Sequence, residues 1–330
     1  MSIVLLIYLI VSFFAVLYIT PWAIRFLKRI NLVVKDQNKK DKPLVPISGG
    51  LAVFGGLFLG IMTAIFFETF IFDGKVLGGR FTPLFASLTT IILITLVGFI
   101  DDLIIKGNND GSLGLKQWQK PLLTLIAAIP LMVTNAGIAT MTLPIFGRVD
   151  IGLLYPLIFV PIGVVGAANM VNMLAGFNGL ETGMGIIYTG MLGLFALVHG
   201  RNVAALIALV TFAGLIAFYF FNKYPAKILP GDSLTYLLGG VIASVAIVGN
   251  IEKAALIASV PFFLEFLLKL RGGFNKHSYG YYYDGKIKSY YKKVYSLPHI
   301  LTRTGKFTEK QIIYIFIFME LFFSSLMWVI

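Results

Sequence analysis

Cysteine is absent from the 330-residue sequence. The absence excludes disulfides, thiolate catalysis and metal sites built on sulfur. Histidine is almost absent: His199, His277 and His299 are the three in the chain, and none has a partner at HExxH or other paired spacing. Zinc-protease chemistry of that kind is therefore excluded. Charge is the third shortage. Asp, Glu, Lys and Arg make up 13% of residues, against about 25% in a typical soluble domain. So little charge cannot coat the water-facing surface of a chain this long. No internal repeat is evident, including the inverted repeat common in transporters.

What is present is apolar. Hydrophobic residues form 58% of the chain, and mean hydropathy is +0.88. A helix that crosses a bilayer takes about 20 residues, and apolar runs of that order recur along nearly the whole sequence. Ten spans are expected, near 3–27, 49–71, 83–100, 121–138, 153–168, 185–199, 203–221, 233–250, 254–270 and 312–330. The expected fold is all-α, a polytopic membrane protein, with residues 1–330 as a single transmembrane domain. The first run is too long for a signal peptide, lacks a basic start and ends in Pro-Trp, so it reads as a span.

Lys and Arg set the expected orientation. With the first loop cytoplasmic, the cytoplasmic loops cover about 25–48, 101–120, 169–184, 222–232 and 269–311, and hold 22 of the 27 Lys and Arg residues. Cytoplasmic loops are the ones enriched in these residues, which puts both termini outside. The net charge of +12 follows from that topology and requires no nucleic acid. Anionic lipid head groups or an anionic substrate would supply the counter-charge.

The polar residues of four of these loops cluster on that one side. The first loop breaks at Pro43 and Pro46 and ends in Gly49-Gly50, with Ser48 placed to cap the following helix and Lys42 nearby. A glycine-rich helix start offers backbone N–H groups to an anion, although a solvated basic loop is the plainer reading. In the second, Asp101 and Asp102 end an apolar run. The helix dipole disfavours carboxylates there, so a divalent cation, a bound proton, Lys106 or Lys120 should compensate them. Such a pair suits Mg²⁺ binding or proton abstraction, with plain solvation as the alternative.

In the third loop Asn169, Asn172, Asn178 and Glu181 interrupt a small, apolar stretch. Asn169 and Asn172 would share a helix face. Polar groups at this depth need protein, water or ligand partners; interhelical packing is the alternative use. In the fourth, Pro230-Gly231 precedes Asp232. A helix N-cap explains that aspartate; a metal ligand is the functional reading. The last polar stretch, 271–311, interleaves Tyr, Lys and Gly. It should fold over the cytoplasmic face as an interfacial loop, with a hairpin after Gly280.

Together the loops resemble the polyprenyl-phosphate N-acetylhexosamine-1-phosphate transferase family. The resemblance rests on PISGG at 46–50, GFIDDL at 98–103, NMVNMLAGFNGLETG at 169–183, FNKYPAKILPGDS at 221–233 and SLPHILTRTGK at 296–306. Bacterial members typically carry Asp-Gly-x-Asp-Gly in the third motif, where Ala175 and Asn178 stand here. That difference resembles the eukaryotic and archaeal branch, which adds N-acetylglucosamine-1-phosphate to dolichyl phosphate at the start of N-glycosylation. The absence of a large insertion before the last span points to an archaeal member, in the plasma membrane; a eukaryotic one would lie in the endoplasmic reticulum.

The resemblance implies UDP-N-acetylglucosamine as donor, dolichyl or polyprenyl phosphate as acceptor, UMP as product, and a homodimer. It implies that Asp232 and Asn172 hold Mg²⁺ (or Mn²⁺), that Asn178 contacts the nucleoside, and that one of Asp101 and Asp102 deprotonates the lipid phosphate. Lys120 matches a lysine near the phosphates. Lys42, Glu181, His299 and Arg303 are further candidate substrate contacts, the last two standing where the family has a basic motif. Direct attack by the lipid phosphate and a covalent Asp intermediate both remain open. Two competing functions also stand. One is transfer of another amino-sugar phosphate, such as a muramyl-peptide phosphate. The other is a transporter or lipid flippase, which would tend to place its binding residues near the bilayer midplane.

Overall fold

A computed structural model describes residues 2–74, 77–106, 114–143 and 147–329. The side chain of Lys106 lies outside the described residues, as do residues 107–113 of the second loop. The chain is a bundle of helices, as a bilayer demands: with no water to serve the backbone, each span must satisfy its own N–H and C=O groups. Among the described residues, eight helices are long and apolar enough to cross a membrane. They begin with α1 (Ser2–Arg29), α2 (Gly50–Phe70) and α3 (Phe81–Lys106). A π-helical turn (Tyr155–Phe159) runs into α5 (Val160–Met173), followed by α6 (Leu180–Val198) and α7 (Asn202–Asn222). The set ends with α8 (Gly231–Gly249) and α12 (Glu309–Ser325), the latter continuing as a short 3-10 turn.

Two expected spans take a different form. The one near 121–138 is α4 (Gln119–Val133), whose 15 residues reach only about 22 Å. The one near 254–270 is two helices, α9 (Glu252–Ala258) and α10 (Val260–Arg271), divided at Ser259. Pro261 is the cause, since it lacks an N–H and suits the start of a helix rather than its interior. The expected loop 169–184 is also mostly helical. Asn169 and Asn172 lie on the last turns of α5, and α6 begins at Leu180, so only a short turn separates them.

The apolar stretches of α7 and α8 are 78% and 83% buried, against 28% for α1. This places α7 and α8 at the centre of the bundle. Close approach to α8 depends on missing side chains. A Cβ on Gly98 of α3 would come within 2.3 Å of the Asp232 carbonyl oxygen, and one on Gly50 of α2 within 2.2 Å of the Leu234 nitrogen. Small residues at helix contacts allow backbones this near. Here they draw the ends of α2 and α3 onto the start of α8.

Among the described residues, three antiparallel hairpins decorate the bundle. The first pairs β1 (Val33–Lys35) with β2 (Leu44–Pro46). The second pairs β3 (Thr140–Leu143) with β4 (Gly147–Asp150). The expected hairpin after Gly280 is present as β5 (Tyr281–Tyr283) and β6 (Lys286–Lys288). The segment around it is tied to the bundle by Glu265 of α10. That buried carboxylate accepts hydrogen bonds from Ser296 Oγ at 2.6 Å, Leu297 N at 2.7 Å and Ser278 Oγ at 3.4 Å. A short helix, α11 (Pro298–Thr302), follows, and a capping box between Thr308 and Gln311 starts α12.

Candidate active site

The two adjacent aspartates at the end of α3 have separate jobs. Asp102 is fully buried and accepts hydrogen bonds from Asp232 N at 2.8 Å, Ser48 Oγ at 2.8 Å and Ser233 N at 3.2 Å. It therefore caps α8 from a neighbouring helix. Ser48, expected to cap α2, makes no cap bond there and donates to Asp102 instead. Asp232, expected as the N-cap of α8, lies inside the first turn with no capping bond of its own. A carboxylate at a helix N-terminus meets the free N–H groups and the positive dipole end, so Asp102 can take the role from outside. Gly231 admits it: its φ is +70°, and a Cβ there would come within 2.4 Å of Asp102 Oδ2.

Asp101 points elsewhere. Its Oδ1 accepts Leu115 N, and its Oδ2 pairs with Lys120 Nζ at 2.5 Å. The same ammonium reaches Asp232 Oδ2 at 3.1 Å. Asn172 Nδ2 also donates to Asp232 Oδ2 at 3.1 Å, while Asn172 Oδ1 accepts Thr235 Oγ1 at 3.0 Å. Asn169 lies behind them, donating to Thr124 Oγ1 at 3.1 Å. The helix dipole cost expected for the aspartate pair is thus met twice, by the start of α8 for Asp102 and by Lys120 for Asp101. Four helices (α3, α4, α5 and α8) each bring one member of a Lys120, Asp101, Asp232 and Asn172 cluster.

This cluster opens into a cavity of about 1260 Å³ lined by Lys42, Lys120, Asn172, Asn178, Glu181 and Asp232 among others. Asp101 and Asp102 lie behind its wall. Glu181 is held by Gly176 N at 2.7 Å through Oε1, and its buried Oε2 has no partner among the described residues. Asn178 donates through Nδ2 to Asp36 at 2.9 Å, and its backbone N–H donates to Glu309 at 3.0 Å.

His299 and Arg303 are not brought into the cavity. His299 is fully buried, with Nε2 donating to His277 O at 2.9 Å and Nδ1 accepting Tyr295 N at 3.2 Å. Burial pushes its pKa down to about 4, with nearby Lys269 and Arg303 acting in the same direction. The His299 hydrogen bonds tie two parts of the loop together. Arg303 is exposed. The histidine that does line the cavity is His277, beside Lys269 and Lys276, and burial and those two ammonium groups lower its pKa. Sequence reasoning missed His277, Asp36 and Asn38, because a basic, Tyr-rich loop and a KDQNK turn look like solvated surface until they are folded against the bundle.

The pattern of glycosyl transferase family 4 matches residues 84–250. A relative in Saccharolobus solfataricus, provisionally named a UDP-N-acetylglucosamine–dolichyl-phosphate N-acetylglucosaminephosphotransferase, is 34% identical, covering 96% of this chain and 93% of its own. The chain belongs to glycosyl transferase family 4. A Sulfolobus acidocaldarius relative with the same provisional name is 31% identical over 98% of this chain and 94% of its own. A phospho-N-acetylmuramoyl-pentapeptide-transferase of Halalkalibacterium halodurans is 32% identical over 80% of this chain and 81% of its own.

The family 4 match contains Asp101, Asp102, Lys120, Asn172, Asn178, Glu181 and Asp232, but not Lys42, His299 or Arg303. The donor atoms of this glycosyl transferase fit a hard divalent cation. Among the described residues no three His, Cys, Asp or Glu side chains gather as ligands, so an all-protein metal cage is not formed. Mg²⁺ is commonly held by one or two carboxylates with substrate phosphates and water supplying the rest. Asp232, partly open to the cavity with a side chain 21% exposed, matches that demand; Asn172 turns its amide nitrogen to Asp232 and its oxygen to Thr235, and would join as a ligand with the amide turned over.

Proposed function

We propose that this integral membrane protein transfers N-acetylglucosamine-1-phosphate from UDP-N-acetylglucosamine to dolichyl or another polyprenyl phosphate, releasing UMP. The observation that carries the reading is the Lys120, Asp101, Asp232 and Asn172 cluster, set at the ends of the bundle's helices and opening into one large cavity. That position suits a reaction between a water-soluble donor and an acceptor anchored in lipid. The names of the archaeal relatives support the same donor and acceptor. The Lys and Arg distribution supports a cytoplasmic site with both termini outside, the archaeal relatives support an archaeal plasma membrane, and the family resemblance supports a homodimer.

The chemistry brings a diphosphate and a phosphate together, so offsetting negative charge is the main task. Asp232 and Asn172 would hold Mg²⁺ or Mn²⁺, which supplies charge neutralisation at the pyrophosphate. Lys120 lines the cavity, and Asp101 and Asp232 fix its ammonium there. An oxygen of the lipid phosphate bonds to the sugar-proximal phosphorus, and the bond from that phosphorus to the bridging oxygen breaks, releasing UMP. Asp101 lies behind Lys120, 2.5 Å from Nζ. A proton leaving the lipid phosphate therefore passes through the ammonium, which gives one proton to Asp101 as it takes another. Asp102, with three hydrogen bonds and no exposure, holds the start of α8 and so keeps Asp232 in the cavity wall, where it would meet a bound cation.

The test is UMP release by purified protein in detergent, with and without polyprenyl phosphate and Mg²⁺, comparing wild type with Asp232→Ala. Release that needs both lipid and metal and collapses in the variant is expected. Consumption of only a muramyl-peptide donor in the same assay would move the chain to the other branch. Failure to consume any donor nucleotide would return it to the transport reading.

A further inference from the structure

The turn between α5 and α6 is held by a hairpin that the reaction chemistry does not use. Asp36 lies in the turn between β1 and β2 and is 5% exposed. Its Oδ2 accepts the Asn178 amide at 2.9 Å and pairs with Lys39 at 3.2 Å. Lys39 also pairs with Glu309, which in turn accepts the Asn178 backbone N–H. Asn38 fastens the same turn, donating to Gly176 O at 2.6 Å and accepting Gly280 N at 3.3 Å. Asn178 is thereby held at its backbone and at one end of its amide. No donor among the described residues is recorded on its Oδ1, and the residue lines the cavity.

An amide can turn over, exchanging its donor and acceptor ends. Here the choice is made by Asp36. A carboxylate accepts and does not donate, so the amide nitrogen must face it and the carbonyl must face away. Asp36, Asn178 and Glu181 all line the cavity; Glu181 Oε2 is buried within that wall, so the Asn178 carbonyl is the acceptor left for a ligand beside the Asp36 carboxylate. The Lys120 and Asp232 cluster claims the phosphates on the proposed reading, which leaves this separate part of the wall for the nucleoside. A uracil ring carries an N–H at position 3. Cytosine carries a bare nitrogen there, and acceptor facing acceptor is repulsive.

We propose that Asp36 is a positioning residue that fixes the Asn178 amide with its carbonyl toward the cavity, and that this orientation selects a uridine donor over a cytidine donor. The inference rests on the proposed transferase reading. Asp36→Asn is the informative change, because it keeps the shape but can donate as well as accept. The Asn178 amide is then free to turn its NH₂ into the cavity.

The experiment compares kcat/KM for UDP-N-acetylglucosamine and CDP-N-acetylglucosamine in wild type, Asp36→Asn and Asp36→Ser, together with inhibition by UMP and CMP. The wild type should prefer uridine strongly. In Asp36→Asn the preference should fall about tenfold or more, with CMP gaining as an inhibitor relative to UMP. Asp36→Ser removes the fixed acceptor without adding an amide and should lose part of the preference; it also serves if the Asn variant does not fold. Equal losses on both donors, or an unchanged ratio in either folded variant, would overturn the proposal and leave Asp36 a structural tie. A wild type inactive on UDP-N-acetylglucosamine would instead sink the transferase reading on which the inference rests.

Discussion

Asp102→Asn is expected to lower stability by about 2–4 kcal/mol while Asp101→Asn, one residue away, leaves stability nearly unchanged and stops the chemistry. The magnitude comes from the bonds. Asp102 accepts from Asp232 N, Ser233 N and Ser48 Oγ, and an asparagine has only one oxygen to replace two. Its NH₂ would face an N–H or compete with a hydroxyl, leaving a buried donor unpaired at about 1–3 kcal/mol. The helix N-terminus also loses its negative partner, worth about 0.5–2 kcal/mol. For a chain of this size the sum is a fall in Tm of about 4–10 °C. Asp101→Asn keeps an acceptor for Leu115 N and leaves Lys120 paired with Asp232. It removes the proton acceptor behind the ammonium, so kcat should fall by about 10²–10⁴. Thermal unfolding in detergent and UMP release, measured on both variants, separate the two roles. An Asp102→Asn protein as stable as wild type but as inactive as Asp101→Asn would refute the capping argument and place Asp102 in the chemistry.

Other expectations follow from the same geometry. Lys120→Met leaves Asp101 and Asp232 without the cation between them, and UMP release at saturating donor should fall about 10²-fold or more; near-normal release would remove the ammonium from the mechanism. His299 has a folded pKa near 4 against the usual 6.5, so the unfolded chain binds its proton first. Its contribution to stability is complete above about pH 6.5 and is lost as pH falls toward 4, and His299→Gln should flatten that part of a Tm-versus-pH curve. An unflattened curve would mean that another group titrates there. Tunicamycin should inhibit UMP release, as the family resemblance implies, if the nucleotide occupies this cavity as proposed; turnover undisturbed by excess inhibitor would count against that placement.

Much of the architecture was open to reading in the chain itself. Apolar runs separated by basic loops specify spans, because the bilayer rewards length and hydropathy irrespective of which helices become neighbours. The hairpin after Gly280 and the shared face of Asn169 and Asn172 were legible for a similar reason, since both depend on local periodicity. The break at Ser259 is not legible from hydropathy, although Pro261 marks its place. An apolar run with a proline can kink or end a helix, and hydropathy alone does not choose.

The sequence by itself determined the membrane class, the approximate placing of most spans and the gathering of the polar motifs at span ends on one side. Only the tertiary structure decided what each polar residue does there. Ser48 meets Asp102 across 54 positions, Lys120 meets Asp232 across 112, and Asp36 meets Asn178 across 142. A cap, a counter-charge and an amide orientation are each properties of a pair. Their strength depends on a distance of about 3 Å, and that distance is set by how helices pack, with Gly50 and Gly98 allowing α2 and α3 to close on α8. Local pattern carries no information about that distance, so Asp101 and Asp102 look alike in the chain and differ in the fold.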